Sequence, residues 1–160
     1  MIKEVKKDLF KVLDESLRIQ EKPVYLLHCI SQDLKMGAGI AVPIRGQFDC
    51  RNIIQDGKGI SSNSNYNSGP VGYCIQASKN PSVRVMNLIT KPRFYDKPTY
   101  DTLRKSLKDA REMILKDVAS GLVLMPRIGC GLDKLVWSQV YEMLKKEFDH
   151  ESLKIVVCYL

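Results

Sequence analysis

Twice in this chain a short apolar run leads, within a few residues, into a turn that carries two glycines one residue apart. Val24 to Ile30 is followed by Lys35-Met36-Gly37-Ala38-Gly39-Ile40-Ala41, and Gly121 to Met125 by Pro126-Arg127-Ile128-Gly129-Cys130-Gly131-Leu132-Asp133. Each run reads as a buried strand and each turn as the entry to a helix. Paired glycines let backbone approach a ligand closely with N–H groups turned toward an anion. The carboxyl end of a strand meeting a helix is also where open α/β sheets bind ligands. Two such turns can form two walls of one cleft, with Asp133 closing the second. A bare Gly-x-Gly describes an ordinary strand-to-helix turn equally well. Neither turn has the spacing of the nucleotide P-loop or of the dinucleotide fingerprint.

The rest of the chain alternates in the same manner. Ile2 to Val5 reads as a first strand, Asp8 as a candidate helix cap, and Leu9 to Ile19 as a helix closed by Glu21-Lys22-Pro23. Met36 to Phe48 is predicted as the first long helix, with Pro43 tolerable only near its start. Asn52 to Gly59 is predicted as a further helical turn, and the polar stretch Ser61 to Pro70 as a surface loop. Val71 to Ala77 and Val83 to Thr90 are predicted strands joined at Lys79-Asn80-Pro81, a hairpin that makes the sheet mixed. Thr99 caps a predicted helix reaching Val118, with Leu103, Leu107, Ala110, Met113 and Ile114 at helical spacing. Leu135 to Phe148 is the next helix, with Trp137, Val140, Leu144 and Phe148 facing the core, and Lys154 to Tyr159 the last strand. This alternation predicts an α/β fold, a three-layer α/β/α sandwich with a mixed central sheet, formed as one domain over residues 1–160.

A chain of 160 residues that is 44% apolar is long enough to bury a sizeable core. No apolar run approaches the roughly 20 residues of a membrane helix, and Met1 to Phe10 lacks the apolar centre of a signal peptide. A soluble cytoplasmic protein is expected (nuclear as well, in a eukaryote), acting as a monomer away from membranes. The five cysteines are odd in number and form no Cys-x-x-Cys pair, which predicts a reducing compartment. Cys29, Cys74 and Cys158 read as small buried hydrophobes. Cys130 lies in the second turn, where a compact side chain suits close packing and where no histidine is linked to it in sequence. His28 and His150 are too few for a metal site, and His28 is expected to pack at a strand end. The net charge of +7 suits an anionic ligand or partner. Because the basic residues are scattered, it does not separate a phosphorylated small molecule from a polynucleotide.

Several motifs in order are far more specific than any one alone. His28-Cys29-Ile30-Ser31 with Met36 to Ala41, Leu88-Ile89-Thr90-Lys91, Lys97-Pro98-Thr99-Tyr100, and Pro126 to Asp133 with Trp137 together resemble the macrodomain family. The likeness is closest to the branch of terminal ADP-ribose protein glycohydrolases, and it runs from about Val5 to the C-terminus. The resemblance implies that Asp8 and Leu9 face adenine, although family members carry glycine where this chain has Lys7. It implies that Gly37, Ala38, Gly39 and Ile40 line the distal ribose, with Ser31 a hydrogen-bond partner near the substrate rather than only a cap. Arg127, Ile128, Gly129, Cys130, Gly131 and Leu132 would wrap the pyrophosphate, and Thr90 and Leu160 would complete the binding set. Lys91 aligns with the lysine to which the branch assigns catalysis, and Asp133 with its acidic partner. No metal and no cofactor are implied; ADP-ribose is itself the ligand and product.

The chemistry implied is attack at a glycosidic carbon. A neutral lysine amine adds at the anomeric carbon of ribose as an attached carboxylate leaves, and an acidic residue shuttles protons while water releases the product. The expected activity frees ADP-ribose from glutamate or aspartate and deacylates O-acyl-ADP-ribose. ADP-ribosylated protein, O-acyl-ADP-ribose and, within the same family, ADP-ribosylated DNA are the expected partners. The alternatives are a reader that binds ADP-ribose without cutting it, and a nucleic-acid-binding domain with no such site.

Overall fold

The computed structural model describes residues 1–62, 69–117 and 121–160. Its elements, in chain order, are β1 (Ile2–Lys6), α1 (Leu9–Ile19), β2 (Val24–Ser31), α2 (Ala41–Phe48), α3 (Cys50–Gln55), β3 (Ile60–Ser61), β4 (Tyr73–Gln76), β5 (Val83–Lys91), α4 (Tyr100–Asp117), β6 (Gly121–Pro126), α5 (Trp137–Met143) and β7 (Leu153–Tyr159). A π-helical turn, Leu144–Phe148, continues α5. The strands form a seven-stranded sheet in the order β1-β7-β6-β2-β5-β4-β3. The first five in that order are parallel, while β4 runs antiparallel to β5 and β3 antiparallel to β4. The sheet is mixed because of the hairpin at Lys79-Asn80-Pro81, as expected.

Apolar alternation divides the strands between two cores. Leu26, Val85, Leu124 and Val156 pack with Leu13 of α1, Ile44 and Phe48 of α2 and Ile54 of α3. Leu27, Met86, Val123 and Ile155 pack on the other face with Leu103, Leu107 and Ile114 of α4 and with Val140, Leu144 and Phe148. Strands covered on both faces have no polar side to alternate, which is why Val24–Ser31 reads as a nearly continuous apolar run. The result is the three-layer α/β/α sandwich.

The structure corrects several expectations. The helix predicted from Met36 begins only at Ala41, because Leu34, Met36 and Gly39 adopt positive φ (59°, 47° and 62°) and keep the chain turning. Pro43 thus occupies the first helical turn, where its missing N–H has no acceptor to lose. The following helix is Cys50–Gln55 rather than one running to Gly59. Ser61 belongs to β3, while residues 63–68 of the predicted loop and Val118 at the end of the predicted helix lie outside the described residues. Trp137 packs against the second core as expected but stays half-buried at the start of α5, with its indole N–H donating to Glu4 at 2.8 Å. His28 sits in the body of β2, not at its end, fully buried, with Nε2 2.6 Å from Asn87 Oδ1.

Candidate functional site

Parallel strands place the carboxyl ends of β1, β2, β5, β6 and β7 along one edge, and the loops that matter leave from that edge. Between β2 and β5 the register runs evenly to Ile30–Ile89 and then slips, pairing Ser31 with Lys91. Thr90 becomes the extra residue of a bulge, a device that re-aims the side chain that follows it. Lys91 extends toward the loop after β6, and its Nζ donates to Asp133 Oδ1 at 2.6 Å, with each side chain 14% exposed. Two residues 42 positions apart therefore form one charge-assisted contact across the edge of the sheet.

The two glycine turns meet beside this pair. Gly39 has φ 62°, and a Cβ there would lie 3.5 Å from Leu132 Cδ1, so the turn after β2 lies against the turn after β6. Gly129 is held more tightly, with φ 73° and Leu135 Cδ1 2.8 Å from where a Cβ would stand. Only glycine meets both demands there. The β6 turn closes on itself through Leu135 N–H to Gly129 O at 2.7 Å, and Cys130 N–H donates to Arg127 O. The N–H groups of Gly131 and Leu132, in exposed backbone, donate to no protein acceptor among the described residues.

The Lys97-Pro98-Thr99-Tyr100 stretch supports this turn from outside. Lys97 Nζ donates to Leu132 O at 3.2 Å, and Tyr100 OH accepts from Val136 N–H at 3.0 Å. Thr99 caps α4 as expected: its Oγ1 accepts from Thr102 N–H while Thr102 Oγ1 accepts from Thr99 N–H, each at 3.0 Å. The same Thr102 hydroxyl donates to Thr90 O at 2.7 Å, tying the bulge to the helix.

Asp33, outside the expected set, fastens the β2 turn to the loop after β5. Its carboxylate accepts from Ser31 Oγ, from Lys35 N–H and from Phe94 N–H. Burial pulls its pKa upward, but the hydrogen bonds from Ser31 and from those backbone N–H groups outweigh it and hold it below the usual carboxylate range. The visible signal was the Ser-x-Asp spacing of a self-bonded turn. Cys29, expected to be a buried small hydrophobe, instead keeps some exposure and lies beside Asp133, Lys91 and the N–H of Gly129. Burial, reinforced by the Asp133 charge, pushes its thiol up to about 12. Burial likewise raises Cys130 to about 11, and its thiol donates to Ile128 O. Both are thiols rather than thiolates at neutral pH, which disfavours a cysteine nucleophile.

The remaining expected residues are distributed as follows. Asp8 caps α1, its Oδ1 accepting from the N–H groups of Phe10 and Lys11. The side chain of Leu9 is buried in the core, so that only its backbone borders the edge. Lys7 is not among the positive-φ residues, so the glycine it replaces is not required by the backbone there. Gly37 and Ala38 are exposed, Ile40 precedes an α2 whose first turn has no side-chain cap, and Leu160 is 88% exposed. Ser31, Thr90 and Ile128 are buried, Thr90 without a hydrogen-bond partner for its hydroxyl among the described residues. The guanidinium of Arg127 lies over the rings of Tyr159 and Trp137.

A mixed sheet between helical layers, with glycine turns meeting at its carboxyl edge, is the architecture of a macrodomain. The chain superposes on the macrodomain of Thermus aquaticus DarG with a TM-score of 0.73 at 19% identity, over 100% of this chain and 98% of that one. It superposes on Thermosipho africanus DarTG in complex with ADP-ribose with a TM-score of 0.70 at 18% identity, over 99% of this chain and 41% of that one. No family model matches the sequence. It is, however, 40% identical over 134 residues to the ADP-ribose glycohydrolase OARD1 of Homo sapiens, spanning 82% of this chain and 79% of that protein. The chain belongs to the macrodomain family, in the group that includes the ADP-ribose glycohydrolase OARD1.

Proposed function

We propose that this protein is an ADP-ribosyl hydrolase that frees ADP-ribose from glutamate or aspartate esters, and deacylates O-acyl-ADP-ribose, through a covalent bond to Lys91. The observation that carries the reading is the 2.6 Å contact between Lys91 Nζ and Asp133 Oδ1 at the mouth of the two glycine turns. Kinship with an ADP-ribose glycohydrolase at 40% identity supports the same substrate chemistry.

The pair supplies what the reaction needs. An ammonium carries no lone pair, so it attacks only after losing a proton, and Asp133 is already in position to take one. Nζ then bonds to the anomeric carbon while the ester carboxylate departs with the bonding electrons. Water adds to the same carbon as the C–N bond breaks, Asp133 returns its proton to the freed amine, and the proton that the added water loses passes to solvent. The exposed N–H groups of Gly131 and Leu132 suit the pyrophosphate, and the Gly37–Gly39 backbone suits the distal ribose. Gripping both would hold the anomeric carbon against Nζ, an effect worth several kcal/mol of barrier. Asp8 at the head of α1 and the C-terminal Leu160 would border the adenine.

The test is release of ADP-ribose from a glutamate-linked mono-ADP-ribosylated peptide, run beside an ADP-ribosylated oligonucleotide. The wild type should release ADP-ribose from the peptide. Lys91→Ala should lose about a hundredfold or more of that rate while still binding ADP-ribose. Asp133→Ala should lose release as well, because the carboxylate that takes the amine's proton and later returns it is gone. Tight binding with no turnover by the wild type would make the protein a reader, and turnover of the oligonucleotide alone would move the substrate to DNA.

A further inference from the structure

We propose that Glu4, Trp137 and Tyr159 form a clamp on Arg127 that sets the shape of the phosphate-binding turn, an inference resting on the reading of residues 127–133 as that turn. Arg127 is the first residue after β6, and its guanidinium packs on aromatic rings. It lies 4.0 Å from the ring centroid of Tyr159 on β7 and 5.5 Å from that of Trp137 on α5. Glu4 on the outermost strand accepts from Trp137 Nε1 at 2.8 Å and from Arg127 Nη2 at 3.4 Å. One side chain thus ties the start of the turn to three elements that surround it.

Magnitudes decide which of these contacts matters. The Arg127–Glu4 pair is long and both side chains are more than a third exposed, 38% and 35%, so as a salt bridge it contributes little. The cation over the tyrosine face is closer, and it acts where the Nε of Arg127 is buried without a hydrogen-bond partner among the described residues. In this arrangement Glu4 serves chiefly to orient the indole against the guanidinium. The clamp matters because the turn's outward N–H groups belong to Gly131 and Leu132, whose positions depend on how both ends of the turn are held. Lys97 and Tyr100 hold the far end, through Leu132 O and Val136 N–H. Arg127 is the corresponding hold on the near end. Glu4, Trp137 and Tyr159 are positioning residues: they act on the phosphates only through that backbone.

Affinities for two ligands, measured by NMR titration on the full chain, separate this from a general structural role. ADP-ribose carries the pyrophosphate, whereas adenosine has the base and proximal ribose without it. Tyr159→Leu and Glu4→Ala should weaken ADP-ribose binding, Tyr159→Leu by about three- to thirtyfold, the range of a cation–π contact. Adenosine binding should stay within about twofold, since no phosphate contact is involved. Tyr159→Phe, which keeps the ring, should restore the wild-type affinity for ADP-ribose. Glu4→Ala removes the acceptor of the indole N–H at an exposed position and so tests the clamp even if Tyr159→Leu folds poorly. Unchanged ADP-ribose affinity in the folded variants, or an equal loss for both ligands, overturns the clamp and leaves the assignment of the site intact. A wild type that binds no ADP-ribose removes that assignment and the clamp with it.

Discussion

Gly129 shows how much one position is constrained in this turn. Its φ of 73° is strained for any L side chain, and an added methyl would stand 2.8 Å from Leu135 Cδ1. We expect Gly129→Ala to destabilise the protein by about 1–3 kcal/mol in urea unfolding, and to weaken ADP-ribose binding as the turn shifts. Gly131 has nothing within 4 Å of the same position, so Gly131→Ala should leave stability nearly unchanged. The two glycines look alike in sequence, since a Gly-x-Gly motif shows neither the sign of φ nor what lies across from it. The roles of Asp33 and Cys29 were hidden for a related reason. Asp33 acts on Phe94, 61 residues away, and Cys29 meets residues of the β6 turn, contacts that have no local signature.

At the level of elements, the cap on α4 does two tasks at once. Thr99 and Thr102 satisfy each other's N–H groups, and Thr102 also holds the carbonyl of Thr90 at the bulge. Thr99→Ala should cost about 1 kcal/mol of stability in a thermal melt. Asp33 holds the β2 turn against the loop after β5, so Asp33→Ala should speed amide hydrogen exchange at Lys35 and Phe94, the two donors it releases. Its depressed pKa gives the sign of the acid response. The contribution of Asp33 is complete above its ordinary value near 3.8 and is lost as pH falls through the lower folded value. The helix and strand patterns were legible at this level because buried faces impose their own period. The late start of α2 was not, since residue order does not show the positive φ at Met36 that, with Gly39, prevents a helix.

Across the whole molecule, the sheet buries one titratable group whose protonation opposes folding. His28 is fully enclosed, and burial lowers its pKa to about 4, with the Asn87 hydrogen bond opposing the shift. Asn87 Nδ2 donates to Ile75 O, so its Oδ1 faces the imidazole and His28 carries its proton on Nε2 by that assignment. Between about 4 and the ordinary 6.5 the unfolded chain binds a proton that the native one refuses. Stability should therefore fall as pH drops through that window, by roughly 2–3 kcal/mol from pH 7 to 4.5, measured by urea unfolding. His28→Gln removes the titration, and its stability should be flatter over the same range. A variant as steep as the wild type would place the acid sensitivity elsewhere.

What the amino-acid order determined by itself was the succession of strands and helices, their division into layers, and which turns carry glycine at strand ends. Those follow from periodicity and from the steric freedom of single residues, both properties of short stretches. The pairing of Lys91 with Asp133 was supplied in the sequence only by family likeness; in physical terms the fold alone produces it. It needs the parallel order that sets β6 next to β2 and β2 next to β5, and a one-residue slip at Thr90. Register and strand order depend on contacts between distant segments, and those exist only once the sheet has closed around them.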